Sequence, residues 1–254
     1  MPRTILSIHA HPDDAEILAG GTLTLLASLG HQVVIISMTP GDCGSREFAA
    51  DHIAEIRRGE ALAAALRIGA RYRCAEFRDL AVFNDDASRR RVTEILRQVR
   101  PDVVLTASPI DYMCDHEATS ELVRDACFAA PAPNYSTRVD GPAPPLDAIP
   151  HLYFMDAVGG VDRENRPQPA DFYVDVTATF ETKKAMLGEH RSQREWLRQH
   201  HGMDDYIEQM AQWSRKQGDR AGVEYAEGFR RYKGHPYPET PLLEDLLGDV
   251  IRRV

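Results

Sequence analysis

The run Ile5-Leu6-Ser7-Ile8-His9-Ala10 stops at His11-Pro12-Asp13-Asp14, and no other feature constrains the fold of this chain as much. A short apolar, β-branched run closed by proline reads as a buried strand and its exit turn, because proline lacks an N–H and restricts the residue before it. Residues 18–29 then carry a helical pattern ended by Gly30, and 33–38 form a second apolar run. Strand, helix, strand predicts a βαβ unit, hence a Rossmann-like α/β domain with a mostly parallel sheet flanked by helices. Ligands in such sheets gather beyond the carboxyl ends of the strands, where His11, Asp13 and Asp14 fall. Imidazole and carboxylate are donors for zinc or a related divalent ion, and a carboxylate held off the metal can take a proton from water. The same residues also fit a plain turn, with Asp14 or Glu16 favouring a helix N-terminus.

The alternation continues along the chain. The breaker-rich turn 39–44 follows the second strand, and an Ala-, Leu- and Glu-rich helix is predicted over 51–68, ending at Gly69. A third strand is expected over 71–77. A helix capped by Asp86 or Ser88 runs to Val99, and a fourth strand spans 103–106. Its exit turn, Ser108-Pro109-Ile110-Asp111-Tyr112-Met113-Cys114-Asp115-His116, again gathers acids and an imidazole before a helix over 117–129. Residues 131–150 are proline-rich and lack a period, so they read as a loop, with strand-like runs resuming at Leu152 and Phe172. The C-terminal third reads as mostly helical, over 177–199, 204–217 and 242–252. Trp196, Tyr206, Met210 and Trp213 fall near helical spacing, as core or subunit interface.

Ala10-His11-Pro12-Asp13-Asp14-Ala15-Glu16 followed by Gly20-Gly21 closely resembles the opening motif of the PIG-L (LmbE-like) superfamily of metal-dependent N-deacetylases. That family pairs it with a later H-P-D-H turn, whose last position His116 matches. The resemblance implies a metal held by His11, Asp14 and His116, zinc by default with ferrous iron or another divalent ion also suited. It implies Asp13 as general base, and Arg57, Tyr112 and Asp115 facing substrate. The implied reaction removes acetyl from an N-acetylated amino sugar such as an N-acetylglucosamine glycoside. Weaker matches extend further: Arg57-x-x-Glu60, His190-Arg191-Ser192-Gln193 and Tyr225-Ala226-Glu227-Gly228-Phe229. Each also reads as packing or capping residues or, for the first, as a surface ion pair.

One departure matters. Met113 stands where the family commonly has its first His, and a thioether neither transfers a proton nor donates a hydrogen bond. Tyr112, His9, His190 and His235 are the alternative donors. Two other readings remain: an amidase acting on a thiol conjugate or other non-sugar amide, and a metal-dependent binding protein that has lost catalysis. Gly20-Gly21-x-Leu23 is no G-x-G-x-x-G, so dinucleotide binding is a poor reading.

Composition sets the remaining bounds. A chain of 254 residues with 43% hydrophobic content can bury a full core as one domain over 1–254. A formal net charge of −9 argues against nucleic-acid or anionic-membrane partners. Four cysteines without CxxC spacing argue against a zinc module or disulfide scaffold and fit a reducing compartment. With no signal-peptide pattern and no apolar run of membrane-spanning length, a cytoplasmic location is expected. A homo-oligomer is compatible with this composition.

Overall fold

The computed structural model describes residues 1–201 and 206–253. Strands β1 (Thr4–His9), β2 (Gln32–Ser37), β3 (Arg71–Cys74), β4 (Val103–Thr106) and β5 (His151–Met155) alternate with helices α1 (Asp14–Ser28), α2 (Ala50–Leu66), α3 (Asp86–Val99) and α4 (Cys114–Ala129). The remainder comprises β6 (Phe172–Asp175), α5 (Phe180–Leu187), α6 (Arg191–His201), α7 (Tyr206–Ala221), β7 (Ala226–Arg231), α8 (Leu242–Leu247) and β8 (Ile251–Arg252). Among the described residues, eight strands join one mixed sheet, in the order β3-β2-β1-β4-β5-β7-β6-β8. The first five are parallel, and the last three attach antiparallel beyond β5.

This order matters for chemistry. From β1 the chain proceeds outward to β2 and β3 on one side and returns as β4 on the other, so the crevice between the β1 and β4 exits is a topological switch point. The two stretches rich in acids and imidazole leave the sheet there, side by side.

The continuous apolar runs follow from burial on both faces. Ile5, Leu23, Leu26, Tyr153, Phe172 and Phe229 pack on one face, and Leu6, Ile8, Val104, Ile95 and Leu122 on the other. Each such side chain contributes about 1.5–3 kcal/mol on burial. Gly21 sits in mid-helix at a cost in propensity, because a Cβ there would fall 2.5 Å from the side chain of Val176. Behind it Glu227 accepts the N–H groups of Gly21 (2.9 Å) and Thr22 (2.8 Å) and the Nζ of the fully buried Lys183 (2.6 Å). One carboxylate thereby joins α1, α5 and β7.

Several boundaries differ from expectation. Helix α1 begins at Asp14 and α4 at Cys114, three or four residues early, so both acid-rich stretches run straight into helix starts. The cap of α3 is Asp85, which accepts the Ser88 N–H at 2.7 Å, in place of Asp86 or Ser88. The helix expected over 177–199 is divided at Gly188, and that over 242–252 stops at Leu247 where Gly248 turns to φ 57°. The start expected at 204 lies outside the described residues. Strands β7 and β8 lie within the third read as mostly helical; β7 carries few apolar residues because it is stabilised by pairing on both edges.

Candidate metal centre and active site

His11, Asp14 and His116 converge at the switch point. His11 Nδ1 lies 3.2 Å from His116 Nε2 and 3.6 Å from Asp14 Oδ2, and His116 Nε2 lies 3.4 Å from Asp14 Oδ1. Asp14 is fixed by its own turn, its Oδ2 accepting the His11 backbone N–H at 2.8 Å. The preceding Asp13 takes a left-handed conformation, φ 101°, which costs a non-glycine residue about 1–3 kcal/mol and is stored where the chain enters the site.

The far nitrogen of each imidazole is also held. His11 Nε2 meets Asp115 Oδ2 at 3.3 Å, and His116 Nδ1 meets Asp111 Oδ1 at 3.0 Å. A carboxylate behind each histidine fixes its orientation and raises its basicity, as in metal-ligating histidines generally. Burial works against protonation of His11, but hydrogen bonds to Asp115 and Asp14 prevail and lift its pKa to about 10. His116 is likewise raised, burial being outweighed by Asp14 and Asp111. Burial would raise Asp14, yet the two imidazoles hold it well below the usual carboxylate range. The pocket therefore selects positive charge. Two nitrogens and a carboxylate oxygen facing one point, each imidazole backed by an acid, fit a divalent cation.

Asp13 is buried beside this cluster and accepts a hydrogen bond from the Tyr206 hydroxyl on its Oδ2. Burial, then the charge of Asp14, push its pKa up to about 6. His190 lies beneath, buried, with Nε2 3.6 Å from Glu16 Oε1. Tyr112 is 63% exposed, its ring edge-on to His116 at 5.6 Å. Met113 occupies the N-cap of α4, half-buried.

Two residues expected to face substrate are placed otherwise. Asp115 is 1% exposed and its Oδ2 is shared by His11 Nε2 and the Leu80 N–H, so it orients a histidine and has no open face. Arg57 is buried against the loop after β2, donating to the Gly44 carbonyl at 3.0 Å. A Cβ at Gly41 or Gly44 would lie 2.6 Å or less from its guanidinium, so the loop is moulded on it. Of the other donors considered, His9 is buried on Ser7 Oγ with its pKa lowered to about 4 by burial, and His235 is exposed in the turn before Tyr237. The sequence reading missed Asp111 as an orienting acid and Tyr206 as the partner of Asp13. The weaker motifs do meet: Ser192 donates both N–H and Oγ to Glu60.

The family description "PIG-L: GlcNAc-PI de-N-acetylase" matches residues 6–127. The chain is 26% identical over 193 residues to 4-oxalmesaconate hydratase of Pseudomonas putida, covering 73% of this chain and 72% of that protein. It is 27% identical over 250 residues to diacetylchitobiose deacetylase of Thermococcus kodakarensis, covering 91% and 84%. The solved N,N'-diacetylchitobiose deacetylase from Pyrococcus horikoshii superposes with a TM-score of 0.77 at 27% identity, covering 94% of this chain and 88% of that one.

Proposed function

Because the chain belongs to the PIG-L family of metal-dependent deacetylases, we propose that it is an N-deacetylase of an acetylated amino sugar or glycoside, hydrolysing the amide to acetate and a free amine. The observation that carries this is the convergence of His11 with the buried Asp14 and His116, and the buried Asp13 held beside them. The whole chain, 1–254, acts as one domain, and the location is cytoplasmic, in keeping with four free cysteines.

His11 Nδ1, Asp14 and His116 Nε2 would hold the metal, zinc by default, with ferrous iron or another divalent ion also suited to this donor set. When bound, the ion supplies Lewis acidity that polarises the acyl oxygen and acidifies water. Asp13 removes the proton from the attacking water. Its Oδ2 is occupied by Tyr206, which leaves Oδ1 as the acceptor, and the raised pKa lets the same group return the proton to the departing nitrogen. Met113 supplies no proton. Tyr112, kept protonated at neutral pH and standing over His116, donates to the developing oxyanion in its place. Arg57 shapes the wall through residues 41–44.

The likeness to a hydratase, together with the imidazole missing at position 113, favours one second reading: the same activated water added across the double bond of an unsaturated carboxylate. Metal-loaded protein supplied with N-acetylglucosamine, N,N'-diacetylchitobiose, a thiol-conjugated acetamide and an unsaturated dicarboxylate separates the readings. Acetate release from a sugar, abolished in Asp13→Asn, is the expected result. Water uptake by the dicarboxylate with no acetate from any amide would replace the deacetylase reading.

A further inference from the structure

Past β5 the chain folds residues 158–168 into a short arm that lies against the turn carrying His116. Most of what shapes the arm is inside it. Val161 bridges Pro167, the Asp162 N–H donates to the Arg166 carbonyl at 2.9 Å, and the Gln168 N–H donates to the Gly160 carbonyl at 3.1 Å. Asp162 is the hub: its Oδ1 accepts the N–H groups of Glu164 (2.8 Å) and Arg166 (2.9 Å), and its Oδ2 accepts the Gln168 side-chain amide (3.2 Å). At the root, Gly159 and Gly160 take φ 76° and 70°, a conformation that glycine enters freely. An element that closes its own hydrogen bonds and is joined to the sheet through two glycines moves as a body.

Little holds the arm down. Gly160 is its buried residue; the others are half-buried or exposed, and none belongs to the apolar core. Among the described residues, two polar contacts seat it on the rest of the chain beyond its root. The Val158 N–H donates to Asp111 Oδ2 at 3.1 Å, and the Arg163 guanidinium pairs with Glu117 Oε2. Both contacts end on the frame of His116. Asp111 Oδ1 holds His116 Nδ1 at 3.0 Å, and the Asp111 N–H donates to Glu117 Oε1 at 2.9 Å. Val158, Asp111, Glu117 and Arg163 thus close a circuit around one of the two histidines of the metal centre.

We propose that residues 158–168 are a strap whose seating is coupled to metal binding, with Arg163 as a positioning residue: the seated strap steadies Asp111 and Glu117 and so aims His116, and an ion on His116 in turn keeps the strap down. The proposal rests on the metal centre described above. Asp111 is the shared element, because with the strap lifted its Oδ2 loses a donor and the carboxylate is no longer held toward the imidazole. Coupling of this kind is reciprocal: the factor by which metal opposes lifting is the factor by which lifting weakens the metal. A segment with so few buried apolar contacts opens at small cost, which lets a change at one imidazole decide its position.

Glu164 lies in the exposed part of the strap, so a glutamate-specific protease reports lifting, and the exposed Glu239, in the turn after β7, serves as a site away from the strap. Metal-free and zinc-loaded wild type are digested briefly under native conditions, and cleavage at each site is followed by mass spectrometry. Zinc is expected to slow cleavage at Glu164, relative to Glu239, by about fivefold or more. Zinc dissociation constants from chelator competition are then compared for wild type, Arg163→Gln and Arg163→Lys, with far-UV circular dichroism to verify folding. Arg163→Gln is expected to weaken zinc by up to about fivefold, the most that an exposed ion pair supplies, and to speed cleavage at Glu164 in metal-free protein. Arg163→Lys, which keeps a cation for Glu117, retains most of the affinity. Equal slowing at the two sites would make the effect a general stabilisation and overturn the coupling, as would wild-type zinc affinity in Arg163→Gln. Wild type that takes up neither zinc nor ferrous iron would sink the metal centre and the coupling with it; uptake with a strap indifferent to the ion would sink the coupling alone.

Discussion

The two acids behind the histidines predict an order of metal affinities. Asp111 has three donors to satisfy: Oδ1 accepts from His116 Nδ1 at 3.0 Å and the Met113 N–H at 3.3 Å, and Oδ2 accepts from the Val158 N–H at 3.1 Å. In Asp111→Asn the amide oxygen serves only one side. Turned to His116, its NH2 meets the Val158 N–H donor to donor; turned to Val158, the histidine loses its acceptor. Asp115 differs, because its Oδ2 takes both His11 Nε2 and the Leu80 N–H, so an asparagine with its oxygen in that place keeps the histidine's acceptor, and what it disturbs are the Cys114 thiol and the Val82 N–H, which hold no histidine. Loss of an orienting acid costs about 10- to 100-fold in metal affinity, or about 1.4–2.8 kcal/mol. Asp111→Asn should fall in that range and Asp115→Asn near its lower end, losing chiefly the negative charge. Zinc dissociation constants from chelator competition, with far-UV circular dichroism to verify folding, measure both. Wild-type affinity in Asp111→Asn, or a larger loss in Asp115→Asn, would refute the reasoning.

Asp13→Asn should keep the metal while kcat falls by about a hundredfold or more, since shape is preserved and the proton acceptor is not; metal loss in its place would make Asp13 a ligand. Met113→His should lower kcat/KM on the true substrate, because the new imidazole crowds a site rebuilt around a thioether and competes for the ion; gains on every amide tested would show Met113 to be a simple deficit. Lys183→Met leaves Glu227 charged and buried with only the Gly21 and Thr22 N–H groups, and urea unfolding should show a loss of about 3–5 kcal/mol. A loss under about 1 kcal/mol, the scale of an exposed pair, would contradict that account.

In the parallel half of the sheet β1, β2 and β4 were legible because each is a short apolar run closed by a breaker: 103–106 was read with the bounds observed, and β1 and β2 to within a residue, whereas β3, Arg71-Tyr72-Arg73-Cys74, is not apolar and ends three residues short of the 71–77 expected. His11, Asp14 and His116 were named together because their two turns resemble the family's paired motifs, and the fold brings these three side chains within reach of one point. Asp111 was not separable from Asp115 by spacing, since both lie within five residues of His116 and only the fold decides which acid faces which imidazole. Tyr206 carried no signal at all, because its partner is 193 residues away. Strand β7 escaped for a similar reason: Ala226-Glu227-Gly228-Phe229-Arg230-Arg231 has no apolar alternation, and it is a strand only because β5 and β6 are there to pair with it.

The grip of Glu227 on α1 has a consequence for the order in which the protein assembles. The contact joins residues 206 apart, and the clamp on Asp13 spans 193. A chain emerging from the ribosome displays both histidines and Asp14 long before β7 or α7 exists to close against them. Until then the first half carries His11, Asp14 and His116 without the hydroxyl that holds Asp13, and closing loops of that length slows the final docking. On the proposed mechanism, turnover waits until Tyr206 has been made and has docked on Asp13.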